Sequence, residues 1–156
     1  MAEDLIAAIM TLAKIDPSLP MSLYVNSPGG AVAASIRIVR AMDTCRLSIA
    51  TINLGRSDGT AAIMVGHGAK DSRFALPTSS FQLEPISMSG LDAYPLLGGN
   101  PIESDHNDMA AILARDTGRG LPEVSRNMRQ RLFLDPFQAR SYGLIDQVID
   151  RTQDAI

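Results

Sequence analysis

Between Leu47 and Leu54 the chain is rich in β-formers and apolar for most of its length, as a strand buried in a parallel sheet should be. It leads into Gly55-Arg56-Ser57-Asp58-Gly59, which reads as a turn. Thr60 to His67 follows as a helix of small residues, with Gly68 as its expected C-terminal cap. The flanking segments repeat this alternation. Leu5, Ile6, Ile9, Met10, Leu12 and Ala13 recur at helical spacing over Glu3 to Ile15, and Pro17 ends the run. Met21 to Val25 reads as a short strand stopped by the turn signal Asn26-Ser27-Pro28-Gly29-Gly30. Val32 to Met42 reads as a helix, and Arg73 to Leu76 and Phe81 to Leu83 as short strands around Pro77. Leu132 to Leu134 reads as a strand. Asp135 then caps a helix with Pro136 at its first position and Gly143 at its end, and Leu144 to Ile149 is a last strand. Strand and helix in alternation predict one α/β domain over residues 1–156 with a mostly parallel sheet.

Composition excludes several function classes. A chain of 156 residues that is 46% apolar has enough material for a real core. A net charge of −3 offers no electrostatic footprint for nucleic acid. The single cysteine, Cys45, has no internal disulfide partner and fits a reducing compartment. No apolar run approaches the roughly 18 residues of a membrane span. The acidic start Met1-Ala2-Glu3-Asp4 is unlike a secretory signal. The expectation is a soluble, cytosolic protein with no cofactor and no nucleic-acid or membrane partner.

Ser87 to Pro101 departs from the alternation. It holds Gly90, Pro95, Gly98, Gly99, Asn100 and Pro101, so no continuous helix is expected to cross it. A loop is expected there, followed by a helix from about Glu103 to Asp116 ended by Gly118. Asp105, His106 and Asp108 lie on this helix but point different ways, and a fourth ligand is not evident, so they do not predict a metal site. His67 lies two turns along its helix from Thr60, about 10 Å at 1.5 Å per residue. That is too far to exchange a proton with a group at the turn, and His67 reads as a histidine near a helix end.

Five short motifs stand in order: Asn26-Ser27-Pro28-Gly29-Gly30, the Gly55 to Ala62 segment, Gly68-Ala69-Lys70, Arg73-Phe74-Ala75-Leu76-Pro77 and Tyr142-Gly143-Leu144-Ile145-Asp146. In this order and spacing the chain resembles the caseinolytic ClpP protease family from Met1 to about Ile149. The resemblance implies an α/β, ClpP/crotonase-like fold, a layered and mostly parallel sheet flanked by helices. In that family the turn carries a nucleophilic serine, and its position falls on Gly59. Counting from Leu76-Pro77, the family's histidine falls on Glu84, or on Leu83 if one residue is deleted nearby. Counting back from the Tyr142 motif, its aspartate falls on Arg131. A triad needs a hydroxyl to attack, an imidazole to take its proton and a carboxylate to fix the imidazole tautomer. None of the three positions carries the required side chain. A Glu84–Arg131 contact would be a structural replacement for the interacting pair.

The resemblance also implies an oxyanion hole formed by the N–H of Gly29 or Gly30 and that of Thr60, donors that do not depend on side-chain identity. Such a pocket would bind a carbonyl or an extended peptide. Gly59-Thr60-Ala61-Ala62 is similar to ClpR, the catalytically silent paralogues that join mixed rings. The expectation is therefore an inactive ClpP-like subunit, in a homo-oligomer or in a mixed ring with an active ClpP paralogue. The family chain begins earlier, with an axial loop and a first strand, whereas this sequence starts at the helix. Docking of a Clp ATPase therefore does not follow from the resemblance. The family's handle helix, where two rings stack, is expected to be shortened or kinked here. The other reading is an enzyme of altered, crotonase-like chemistry that uses the retained hole with Glu84 or Asp58 as acid or base. The two readings part on whether Glu84 lies buried beside Gly29, Gly30 and Thr60.

Overall fold

The computed structural model describes residues 2–18, 20–45, 48–85 and 101–155. In chain order the elements are α1 (Ala2–Ile15), β1 (Met21–Ser27), α2 (Val32–Cys45), β2 (Ile49–Asp58), α3 (Thr60–Gly66), β3 (Arg73–Ala75) and β4 (Ser80–Gln82). There follow α4 (Pro101–Thr117), α5 (Leu121–Arg129), β5 (Phe133–Leu134), α6 (Pro136–Tyr142), β6 (Gln147–Val148) and a 3-10 turn over Thr152–Ala155. The sheet runs β5-β4-β2-β3-β6, with β1 also paired to β2. β2 is parallel to β1, β3 and β4, and β3 is parallel to β6. The one antiparallel pairing among the described residues joins β4 to β5. The architecture is the expected α/β sheet flanked by helices.

Several boundaries differ from the sequence expectation, each for a local reason. β2 continues to Asp58, so Gly55 lies in a strand and the chain turns at Gly59. The strand survives Gly55 because the side chain of Asn26 stands in for a ladder partner. The Arg56 N–H donates to Asn26 Oδ1 at 3.0 Å, where the β1 register shifts between Val25 and Ser27. A Cβ on Gly55 would lie 2.9 Å from that same oxygen, so the glycine serves close approach rather than a turn. α3 closes on His67, not Gly68. A Cβ on Gly68 would lie 2.3 Å from Thr51 Oγ1, so this glycine too is set by packing. The strand expected over Leu144 to Ile149 shrinks to Gln147–Val148, because Leu144 and Ile145 are buried in the main core instead of pairing. Of the loop expected from Ser87 to Pro101, all but Pro101 lies outside the described residues, and Pro101 already begins α4. α6 forms as expected: Asp135 accepts from the Gln138 N–H in a capping box, and Gly143 ends the helix at φ 91.

The main core joins α3, α4, α5 and α6 across one face of the sheet, through residues such as Ile63, Phe81, Leu113, Met128 and Leu144. A second cluster seats α1 on α2 through Ile9, Ile38 and Met42. At the C-terminal end of α3 the buried guanidinium of Arg73 binds Asp146 twice, Nη2 to Oδ1 at 2.6 Å and Nε to Oδ2 at 2.9 Å. Its Nη1 donates to the carbonyls of Gly66, Asp116 and Gly143, the trailing ends of α3, α4 and α6. Burial pushes the Asp146 carboxyl up, but the bonds from Arg73 outweigh it and hold it below the ordinary 3.8. Asp146→Asn leaves Arg73 buried and without a counter-charge, and should cost about 3–5 kcal/mol in urea unfolding at neutral pH. Because the folded value is depressed, this stabilisation is present above the ordinary carboxylate value and is lost as pH falls through the lower folded one. The gap between parent and variant should therefore narrow in acid.

Candidate functional site

The elbow between β2 and α3 is built on Gly59, at φ 50 and ψ −118. Its N–H donates to the Gln82 carbonyl at 2.8 Å, and its carbonyl accepts from the Ile63 N–H at 3.3 Å. A side chain at this position would point at Glu84: a Cβ there would lie 3.4 Å from Glu84 Oε2 and 3.8 Å from Glu84 Cβ. Leu83, the other position considered, is fully buried in the core. Glu84 is half-buried and makes no hydrogen bond or ion pair with the described residues.

Arg131 is brought near in register but not in contact. β4 and β5 pair Phe81 with Leu134 and Gln82 with Phe133, and the Leu83 N–H donates to the Leu132 carbonyl at 2.8 Å. The next opposed pair would be Glu84 and Arg131. The ladder stops there, because Arg131 adopts φ 55 and its side chain is exposed. The contact expected to replace the interacting pair is therefore absent among the described residues. Asp58 is buried and ion-paired with Arg56, two residues back on the same strand. Ser57, on the opposite face, has a buried hydroxyl with no hydrogen-bond partner among the described residues.

Gly29 and Gly30 do meet Thr60. Gly29 has φ 92, and a Cβ on it would lie 2.8 Å from the Asp58 carbonyl and 3.5 Å from the Thr60 nitrogen. Both glycine N–H groups already have acceptors: Gly29 donates to Ser27 Oγ at 3.2 Å and Gly30 to Thr60 Oγ1 at 3.0 Å. The Thr60 amide heads α3, where the first N–H groups have no acceptor inside the helix. The Gly30 N–H can meet another acceptor only by giving up the Thr60 hydroxyl. The sequence carries no local sign of that hydroxyl's role, because Thr60 and Gly30 are 30 residues apart.

The Clp protease family model matches residues 1–152. The chain belongs to the Clp protease family. It is 32% identical over 151 residues to the ATP-dependent Clp protease proteolytic subunit 1 of Thermobifida fusca, covering 95% of this chain and 68% of the relative. To the chloroplastic proteolytic subunit 4 of Arabidopsis thaliana it is 30% identical over 151 residues, covering 96% of this chain and 52% of the relative. To the proteolytic subunit of Streptococcus suis it is 29% identical over 158 residues, covering 98% of this chain and 80% of the relative.

Elsewhere in this Clp-family chain the other sequence candidates are placed as follows. His106 turns into the seam between α4 and α5, where its Nε2 meets Ser125 Oγ at 2.9 Å. Burial, with the Arg129 charge adding to it, holds its ring below the ordinary histidine value. Asp105 and Asp108 are not part of that contact, and no group of three ligand side chains suited to a metal forms among the described residues. His67 lies beyond the far end of α3 from Gly59, with both ring nitrogens against carboxylates. Its partners come from residues 43 and 116, too distant in sequence for any local signal.

A substitution tests the elbow directly. Gly59→Ala forces an L side chain into a conformation it rarely adopts, at a cost of about 1–3 kcal/mol. The contact with Glu84 is ordinary van der Waals distance, so most of that cost should remain in Gly59→Ala combined with Glu84→Ala. A double-mutant cycle in urea measures both.

Proposed function

We propose that this chain is a catalytically inactive Clp protease subunit, a pseudo-protease with a structural or regulatory role in a ring of the ClpR type. One observation carries this reading: the elbow presents a glycine where the resemblance puts a nucleophile, and the group facing it is the Glu84 carboxylate, 3.4 Å from where a Cβ would stand. A serine needs a base, and the base needs an orienting partner. Here the orienting position is an exposed arginine. The purified protein should not turn over short fluorogenic peptides and should not be labelled by serine-reactive fluorophosphonates. Gly59→Ser alone should remain inactive. Labelling of the parent protein overturns the reading.

Ring assembly is the second element of the proposal. Phe133 and Phe137 are 60% and 57% exposed, and α1 exposes Met10, Leu12 and Ile15. A subunit contact over either surface would bury these side chains. Analytical ultracentrifugation should show self-association, or association with an active Clp paralogue. A clean monomer both alone and with the paralogue would rule the ring out. Pro95 and Pro101, in the segment expected to lead into the handle, favour a single ring over a stable double one.

The second reading is altered chemistry on the same fold. It is favoured by the half-buried Glu84 beside the elbow, which has no hydrogen-bond or ion-pair partner among the described residues. Glu84→Gln decides between the two: loss of a bound ligand with an unchanged melting point supports an enzyme, and an unchanged ligand profile supports the silent subunit.

A further inference from the structure

We propose that Arg131 holds a strained backbone in order to present its guanidinium at the rim of the elbow, where it receives a carboxylate of a bound peptide. The backbone is the first observation. α5 closes with the two bonds of a Schellman motif: the Leu132 N–H donates to the Asn127 carbonyl at 3.1 Å, and the Arg131 N–H to the Met128 carbonyl at 3.1 Å. That motif puts residue 131 in the left-handed region, and Arg131 has φ 55. Glycine takes this place by default and asparagine is the usual substitute, because a Cβ there crowds the following carbonyl oxygen. Two other helix ends of the chain follow the rule. α4 is followed by Gly118 at φ 72, and α6 by Gly143 at φ 91. The other non-glycine residue with positive φ among the described residues is Asp71, whose short polar side chain visits this region more readily. Arg131 is the one long side chain held there among the described residues.

No structural contact accounts for that choice. The Arg131 side chain is exposed and makes no hydrogen bond or ion pair with the described residues. α5 already carries Arg126 and Arg129 in its last turn, where positive charge complements the helix end. An arginine at residue 131 therefore adds strain to the fold without a compensating bond.

Its place in the sheet gives it a use. β4 and β5 pair Gln82 with Phe133, and the Leu83 N–H donates to the Leu132 carbonyl at 2.8 Å, so the next step of the register sets Arg131 across from Glu84. Glu84 is turned to the other side, its Oε2 3.4 Å from where a Cβ of residue 59 would stand. Arg131 is thus at the edge of the elbow with its charge unpaired among the described residues. A guanidinium meets a carboxylate with two parallel N–H donors, a fork that an ammonium lacks. A lone guanidinium one register step from Glu84 suits a singly charged ligand, since the second charge of a phosphate dianion would be repelled by Glu84. The ligand group is a carboxylate, supplied by a peptide C-terminus or by an acidic side chain. The inference goes beyond the silent-subunit reading and does not depend on it, because binding is measured here and reactivity there.

The test uses the ¹⁵N-labelled full chain and three short alanine-rich peptides: one with a free C-terminus, the same peptide amidated, and an amidated one with a central glutamate. Backbone shifts of Thr60, Arg131 and Leu132 report binding at the elbow. At least one of the two carboxylate peptides should bind several-fold more tightly than the amidated parent peptide, the size expected of a bidentate pair open to solvent. Which of them binds more tightly gives the source of the carboxylate. Arg131→Asn should erase that preference and raise the melting midpoint by about 2–4 °C, because asparagine accepts the left-handed backbone. Arg131→Lys keeps the strain and the charge without the fork, and should retain part of the preference. Equal affinity for all three peptides in the parent overturns the proposal, as does the absence of binding at millimolar peptide. A preference that survives Arg131→Asn also overturns it. So does a midpoint that falls in Arg131→Asn, because the arginine then serves the fold.

Discussion

The Arg73 guanidinium is the contact on which the arrangement of helices rests. Each helix ends in carbonyls without intrahelical donors, and such groups are costly to bury unpaired. Here α3, α4 and α6 bring carbonyls from their C-terminal ends to one buried point, and a single Nη1 serves Gly66, Asp116 and Gly143 while the other face of the fork holds Asp146. A planar group with five donors can do this, whereas an ammonium with three cannot reach both the carboxylate and the carbonyls in one plane. Packing then follows. Gly66 lets Leu144 pack closely, its Cδ1 standing 2.7 Å from where a Cβ would be, and Gly143 must be glycine because its φ is 91 and the Thr117 carbonyl would stand 2.7 Å away.

Because α3 is seven residues long, what fixes one end also aims the other. Its length is about 10 Å at 1.5 Å per residue. The Arg73 anchor at Gly66 and the strand β2 at Gly59 therefore hold the elbow between two rigid supports. The wholly buried Ala61, Ala62, Ile63 and Val65 leave the helix no room to shift. Thr60 closes the corner by accepting from Gly30, which ties the β1–α2 turn to the start of α3. The elbow geometry is thus maintained by backbone and packing forces that do not involve a reactive side chain at residue 59.

Much of this was readable in the sequence, and the failures have physical causes. The β2–α3 unit, the Asp135 cap and Gly143 end of α6, and the parallel sheet follow from periodicity and cap residues that act locally. The helix Leu121–Arg129 went unread because just Leu121, Val124 and Met128 among its nine residues are strongly apolar, and its signals are Pro122 in the first turn with Glu123 there and arginines in the last. Gly55 and Gly68 misled because a glycine marks either special dihedrals or close approach, and the neighbours that decide, Asn26 and Thr51, are far away in sequence. Counting offered Glu84 or Leu83 opposite Gly59, and it is Glu84 whose side chain lies there. Its lack of contact with Arg131 was not foreseeable, since it depends on the left-handed backbone of Arg131. The His67 cluster assembles from three helix ends and leaves no local trace.

The motifs that tie this chain to its family divide by what each residue is asked to do. Gly29 is held by φ 92 and by the Asp58 carbonyl, Gly59 by φ 50, Gly68 by Thr51, and Gly143 by φ 91. Arg73 and Asp146, from two motifs 73 residues apart, form one buried ion pair. Every one of these residues is held by backbone conformation, close packing or the burial of charge. Such residues transmit a fold from one relative to another even if the chemistry has changed, because their replacement costs stability first. A likeness built on them is strong evidence for the sheet, the elbow and the helix ends. The chemistry has to be argued from the side chains that face the elbow, and here those are a carboxylate, a threonine hydroxyl and a hydrogen atom.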